Sequence, residues 1–355
     1  MHCYKNILKF QFIPSRRKCW CKVANYSTSS RKEFNVSTFC NINVDLSCNI
    51  TIKPLNVHKY QNQDRLIIQA NTKCIDLIKH KAEANNVNVF DYEDNTDLEN
   101  DILCTLRVPS KANLNIKGKK DIHIGYFLCD NVHIESLGGN ISVEKFEGQR
   151  IDILARYGNI NIDKQIQAAQ ITMRANKGYV SSGKLQALQS HLEICEGDLY
   201  IDSCYSDSCT FIVEKGNMHL HNVHRHCNIK IDKGQLILAG FDGQLSAIIN
   251  SGSADIHLSR INGTSTLTVS DKIELKVSEE CLQSTRFEIN CNEISNNTDQ
   301  VLIRNGNKSS LVPEGEVKAS MLVNCPRGYV NVQRTTWKDM ILTKVKSNTQ
   351  KKHSQ

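Results

Sequence analysis

The run His219-Leu-His221-Asn-Val-His224-Arg-His226-Cys227 places four imidazoles and a thiol within nine residues, and Cys204 and Cys209 precede it closely. Imidazole and thiolate are ligands that Zn²⁺ and copper take readily, and in an extended strand His219 and His221 share one face. His219, His221, His224 and His226 are therefore candidate metal ligands. A second set, Asp163, Asp202 and His221, offers carboxylates and an imidazole for hydrolysis or elimination on a polysaccharide. Such acid–base work needs two carboxyls about 5 to 9 Å apart. Both sets depend on how the chain positions them.

Positioning comes from a repeat. Gly139-Asn-Ile-Ser-Val, Gly158-Asn-Ile-Asn-Ile, Gly178-Tyr-Val, Gly197-Asp-Leu-Tyr-Ile, Gly216-Asn-Met-His-Leu, Gly234-Gln-Leu-Ile-Leu and Gly252-Ser-Ala-Asp-Ile follow one another at spacings of 19, 20, 19, 19, 18 and 18 residues. A period this regular, with apolar residues alternating after the glycine, predicts an all-β fold, a parallel β-solenoid with coils of about 19 residues. Two residues after the glycine the inward ladder reads Ile141, Ile160, Val180, Leu199, Met218, Leu236, Ala254. A second strand precedes each glycine, with Ile134, Ile153, Met173, Leu192, Phe211, Ile229 and Ala247 facing inward. Each coil thus holds at least two short strands, and the glycine relieves the corner between them. Gly118 opens a preceding coil and Asp271-Lys-Ile-Glu-Leu275 continues the series, so roughly eight regular coils would stack over about 40 Å.

This register sorts the candidate residues. Cys209 and Cys227 stand in the inward ladder Ile151, Ile171, Ser190, Cys209, Cys227, Leu245, and Cys204 takes the slot of Phe146, Leu185, Val223 and Phe241. These thiols are expected to pack as small apolar groups, which leaves the outward histidines alone for a metal. Five residues after each glycine the outward ladder reads Glu144, Asp163, Gly183, Asp202, His221, Ala239, His257. Asp202 and His221 are neighbours there, close enough for a charge-assisted pair. Asp163 and Asp202 are two coils apart, about 10 Å, with Gly183 between. Aromatic residues make up 6% of the chain, and no flanking platform for sugars stands out. The glycines open strands rather than helices, which argues against a phosphate-binding loop, and no cofactor is expected.

Residues 1–32 carry eight Lys/Arg and no acid, include Phe10, Phe12 and Trp20, and end in the hydroxyl-rich Tyr26-Ser-Thr-Ser-Ser30. That is the composition of a mitochondrial transit peptide, read by the import machinery, and it places the protein in the mitochondrion, in the matrix. With those eight and the four lysines of residues 344–355 set aside, 32 basic residues face 37 acids between Glu33 and Thr343. The folded part is mildly acidic, which speaks against a nucleic-acid partner. No apolar run is long enough for a transmembrane helix. The 15 cysteines would stay mostly reduced in a matrix protein.

The expected organisation is a leader and transit peptide over 1–32, N-terminal strands and a cap over 35–117 with an acidic loop near 91–101, regular coils over 118–290, closing coils over 291–343, and a disordered basic tail over 344–355. Leu106-Arg-Val108-Pro109-Ser-Lys-Ala-Asn-Leu114-Asn-Ile116, followed by the Gly-x-Ile-x-Ile ladder, resembles the adhesin-type β-solenoid domain of unknown function that is widespread in bacteria. With its basic leader the whole chain resembles the animal family with sequence similarity 185. These resemblances imply a β-solenoid and carry no catalytic residues to transfer. The expected function is non-catalytic binding or scaffolding of an unknown protein partner. The alternatives are a solenoid hydrolase or lyase using Asp163, Asp202 and His221, and a metal-binding protein using the His219–His226 cluster.

Overall fold

The computed structural model describes residues 29–91 and 102–336; the leader up to residue 28, the acidic stretch 92–101 and everything after 336 lie outside the described residues. The chain begins with β1 (Ser29–Asn35), β2 (Asn41–Leu46), β3 (Asn49–Pro54), β4 (Arg65–Asn71), the one-turn α1 (Thr72–Ile75), β5 (Lys79–Glu83), β6 (Asn86–Phe90), β7 (Leu103–Val108), β8 (Asn113–Gly118), β9 (Ile122–Leu128) and β10 (Asn131–Ser136). The middle consists of β11 (Ile141–Tyr157), β12 (Ile160–Lys177), β13 (Val180–Glu196), β14 (Leu199–Lys215), β15 (Met218–His221) and β16 (His224–Ile261). It closes with β17 (Gly263–Val269), β18 (Lys272–Val277), α2 (Glu279–Ser284), β19 (Thr285–Asn297), β20 (Leu302–Asn305), β21 (Lys308–Leu311) and β22 (Ala319–Arg334).

The middle is a parallel β-solenoid, and each coil has three sides where the repeat had required at least two. β11 pairs with β12 along Ile141–Val143, Lys145–Gly148 and Arg150–Ala155, skipping Glu144, Gln149 and Arg156. The gaps recur one coil later at 163–164, 169 and 176, and again at Gly183, Leu188 and Cys195. The skipped positions are the corners. The inward ladders hold as read: Ile141, Ile160, Val180, Leu199, Met218 and Leu236 are all fully buried, as are Ile153, Met173, Leu192 and Phe211. Each such side chain contributes roughly 1.5–3 kcal/mol by leaving water.

The glycine before the first side is a backbone requirement. Gly158, Gly178, Gly197, Gly216, Gly234 and Gly252 have φ between +139° and +150°, a region that L side chains rarely adopt. A β-carbon on any of them would overlap the carbonyl oxygen of the glycine one coil earlier. The residue that follows stitches the same corner through its side chain. Asn159 N donates to Asn140 Oδ1 at 3.0 Å, Tyr179 N to Asn159 Oδ1 at 2.9 Å, and Asn217 N to Asp198 Oδ1 at 2.7 Å. In the N-terminal coils carboxamides form a ladder on the third side, Asn113 donating to Asn41 and Asn41 to Asn86.

The ends are not stacked in chain order. β2 lies between β6 and β8, and β3 between β7 and β9, so the outermost N-terminal coil is made after the one it covers. At the other end β22 is inserted between β17–β18 and β19. Antiparallel strands then cover the stack: β5 on β6, β4 on β7 and β1 on β4 at one end, β21 on β19 and β20 on β21 at the other. Residues 29–32, expected in the leader, belong to β1. Ser29–Lys32 pair with Ile68–Asn71, and Arg31 donates to Tyr60 Oη at 2.5 Å. Phe34 of the same strand packs on the core, so the folded chain reaches further back than composition implied.

The corner constraint yields a graded test. Gly197→Ala is expected to destabilise by about 3 kcal/mol or more, because positive φ and steric overlap act together. Gly263→Ala, at φ +67° with nothing within 4 Å of its β-carbon position, is expected to cost only about 1 kcal/mol. Urea midpoints of the two variants check this; equal losses would contradict it.

Candidate functional site

The histidine-rich segment lies where a coil is shortened. Gly216 to Gly234 spans 18 residues, one fewer than the coil before it. The chain absorbs the deficit at two non-glycine residues in the left-handed region, Asn222 (φ 46°) and Arg225 (φ 68°), which bracket Val223 and His224. Gly240 and Gly243, with φ of 76° and 153°, take the corresponding corners one coil later.

The four histidines do not converge. His219 stacks on Tyr200 with ring centroids 4.8 Å apart, on the outer surface of the first side. His224 stacks on Tyr205 at 4.8 Å on the second side, and His226 is exposed at the start of the third, with Nδ1 3.3 Å from the Asp207 carbonyl oxygen. His221 was expected to face outward with His219; it is only 5% exposed, and His257 is 7% exposed. The reason is that five residues after the glycine is where the sides meet, as at the skipped Glu144 and Gly183, so the two-residue alternation that assigned it outward does not carry through. Burial also lowers the pKa of His219, opposed by Asp198, which favours its neutral form. Among the described residues no three His, Cys, Asp or Glu side chains gather as a metal would require.

The carboxylate set is also spread along a corner column. Asp163 is the extra residue of a bulge with Lys164 opposite Gly183, and its carboxylate accepts from Asn161 Nδ2 at 2.6 Å. Desolvation raises its pKa, with Glu144 adding to the rise. Asp202 lies beyond Gly183 on the following coil and is half-buried; its carbonyl accepts from Asn222 at 3.3 Å. Asp163, Asp202 and His221 therefore share a corner column, with Gly183 between the two carboxylates.

Cys204, Cys209 and Cys227 are buried, as the register required. Cys209 Sγ donates to the His226 carbonyl, and Cys204 Sγ to Ser206 Oγ, itself 2.6 Å from Ser190 Oγ. The Cys204 thiol is pushed well up, first by its contact with Cys209 and then by burial; burial alone dominates at Cys129, raised to about 12, and at Cys281, raised to about 11.

The feature that individual motifs did not reveal is a shallow groove of about 740 Å³ along the corner between the second and third sides. It runs from Gly148 to Asn262 across seven successive coils, about 29 Å at strand spacing. Its floor at one end is small, with Gly148, Ala168 and Ala187 in register, beside the exposed Leu188. The other end is charged: Arg225 pairs with Asp207, and Arg260 grips Asp242 through two hydrogen bonds of 3.0 and 2.7 Å. That guanidinium holds the Asp242 carboxyl below the usual carboxylate range, so it is ionised at neutral pH. His224 Nδ1 lies 3.9 Å from the same carboxylate. The Tyr205 ring is flanked by the His224 ring and by Lys184, 5.4 Å from its centroid, so it does not offer a sugar an open platform. The signal for these residues was present: Gln167, Gln186, Tyr205, His224, Asp242 and Arg260 recur at 18 or 19 residues.

A family model described as Toastrack DUF4097 matches residues 52–324, and the chain belongs to that family. Among solved structures it is similar to a "putative adhesin" of Bacteroides fragilis, at 12% identity over 87% of this chain and 98% of that one, with a TM-score of 0.36. A "putative adhesin" of Parabacteroides merdae is similar at 10% identity over 86% and 97%, with a TM-score of 0.34. The family match bears out the β-solenoid domain of unknown function expected from the sequence, and the details of the fold rest on the strand pairing above.

Thiol accessibility tests the register. Iodoacetamide is expected to modify Cys195, at a corner and partly exposed, well before Cys204, Cys209 or Cys227, which should react only on unfolding. Peptide mapping that found Cys209 alkylated early in native protein would contradict its inward position.

Proposed function

We propose that this chain is a non-catalytic binding or scaffold protein of the mitochondrial matrix, and that one protein partner lies along the groove between Gly148 and Asn262. The observation that carries the reading is the groove itself, which crosses seven coils and is lined by amides, paired charges and one exposed leucine. Hydrogen-bonding groups repeated once per coil on a stiff backbone suit recognition of an extended surface, because little side-chain or loop ordering is needed on binding. The ring arrangement at Tyr205 favours a protein over a glycan as occupant. The basic, acid-free leader supports import.

Proximity labelling from the tagged full-length protein in cells tests both parts. Leader deletion is made over residues 1–28, which spares β1, and is expected to abolish matrix labelling. Leu188→Glu changes an exposed corner of the groove, where surface substitutions typically shift stability by no more than about 0.5 kcal/mol. It is expected to remove one dominant partner from the labelled set while the far-UV spectrum is unchanged. Matrix labelling that survives leader deletion would overturn the compartment, and an unaltered partner set in Leu188→Glu would overturn the groove.

A further inference from the structure

The third sides of the coils form a sheet with two edges, and those edges are of opposite character. It can be followed from β5 through β6, β2, β8 and β10 into the regular coils, then through β17, β22, β19 and β21 to β20. β5, Lys79-His-Lys-Ala-Glu83, is exposed at every residue and charged at three, with Lys81 and Glu83 paired to each other. That is how an edge strand is kept from pairing with another chain. β20 pairs only with β21 among the described residues, and its outward residue Ile303 is 56% exposed, next to Val301 at 77%. Of twelve exposed large hydrophobic residues in the described chain, five lie within 301–322: Val301, Ile303, Val312, Val317 and Leu322. Ile303, Ser310, Glu288 and Leu322 form one outward column behind that edge.

We propose that β20 is the contact between two copies of this chain, which pair through it antiparallel and end to end. A free strand edge is completed by another strand, because its N–H and C=O groups already lie in ladder geometry. Of the edge strands this chain offers, β5 and β1 would bring Lys79, Lys81 and Arg31 against Val301 and Ile303, at the cost of desolvating them. Joining β20 to β5 would also be a head-to-tail contact that propagates without closing. β20 against itself, about a two-fold axis at Ile303, sets Ile303 on Ile303 of the second copy and Val301 opposite Asn305, and closes as a dimer. This contact lies at the C-terminal end of the stack, away from the groove, and does not depend on it.

Sedimentation equilibrium of the full chain tests the contact. The expected result is a monomer–dimer equilibrium with Kd on the order of 10 µM, as suits a small interface. Ile303→Lys should raise that Kd at least about tenfold, since one charge then faces its own copy across the axis, while the urea midpoint stays that of the parent chain. Lys81→Ala at the opposite edge should leave the equilibrium unchanged. A full chain that stays monomeric at about 100 µM, or a dimer indifferent to Ile303→Lys, would overturn the proposal. So would a chain ending at Thr336 that dimerises where the full chain does not, because residues 337–355 would then be what covers β20.

Discussion

The close approach of successive glycine corners is the constraint on which the rest of this molecule depends. From Gly158 to Gly252 each corner presses its α-carbon onto the carbonyl of the glycine below, a packing that any β-carbon would prevent. That contact sets the stacking register, and the register decides which side of every following residue meets the core. A one-residue slip would move each strand's apolar set outward, so the corner and the inward ladders specify the same alignment. Asn140, Asn159, Asp198 and Asn217 add a polar lock at the same height, each accepting from the backbone N–H one coil later.

Stacking of this kind arranges chemistry in columns instead of clusters. Imidazoles, thiols and carboxylates that are near neighbours in sequence point to different sides, as His219, His221, His224 and His226 do. Groups 18 or 19 residues apart meet instead, which is how Tyr205 comes onto His224 and Asp242 onto Arg260. The outcome is an elongated surface with a repeating set of donors and acceptors, suited to holding a partner along its length. The shortened coil at Gly216 is the place where that surface gains charge and left-handed corners together.

Much of the fold was legible because its determinants are local and periodic. The glycine spacing, the inward ladders and the burial of Cys204, Cys209 and Cys227 all follow from counting residues along a strand. The second side was harder to see, since the Lys145–Gly148 segment has only one or two inward residues per coil and too little alternation to announce a strand. The interlocked ends could not be read at all: β2 and β22 are placed by long-range pairing, which a local pattern does not encode. His221 was misplaced because a corner interrupts the two-residue alternation on which its outward assignment relied. The groove was missed because its residues are ordinary one by one and informative only as a column.

The most direct test of the account is hydrogen–deuterium exchange, resolved to single residues, on the free protein. The amides of Gly158, Gly178, Gly197 and Gly216 each donate to a carbonyl of the next coil at 2.9 to 3.0 Å. They are expected to exchange only through global unfolding, with protection as high as that of the inward Leu199 or Met218 and uniform from coil to coil. Exchange of the glycine amides well ahead of the strand amides would contradict it, because the corners would then be following the stack and not holding it in register.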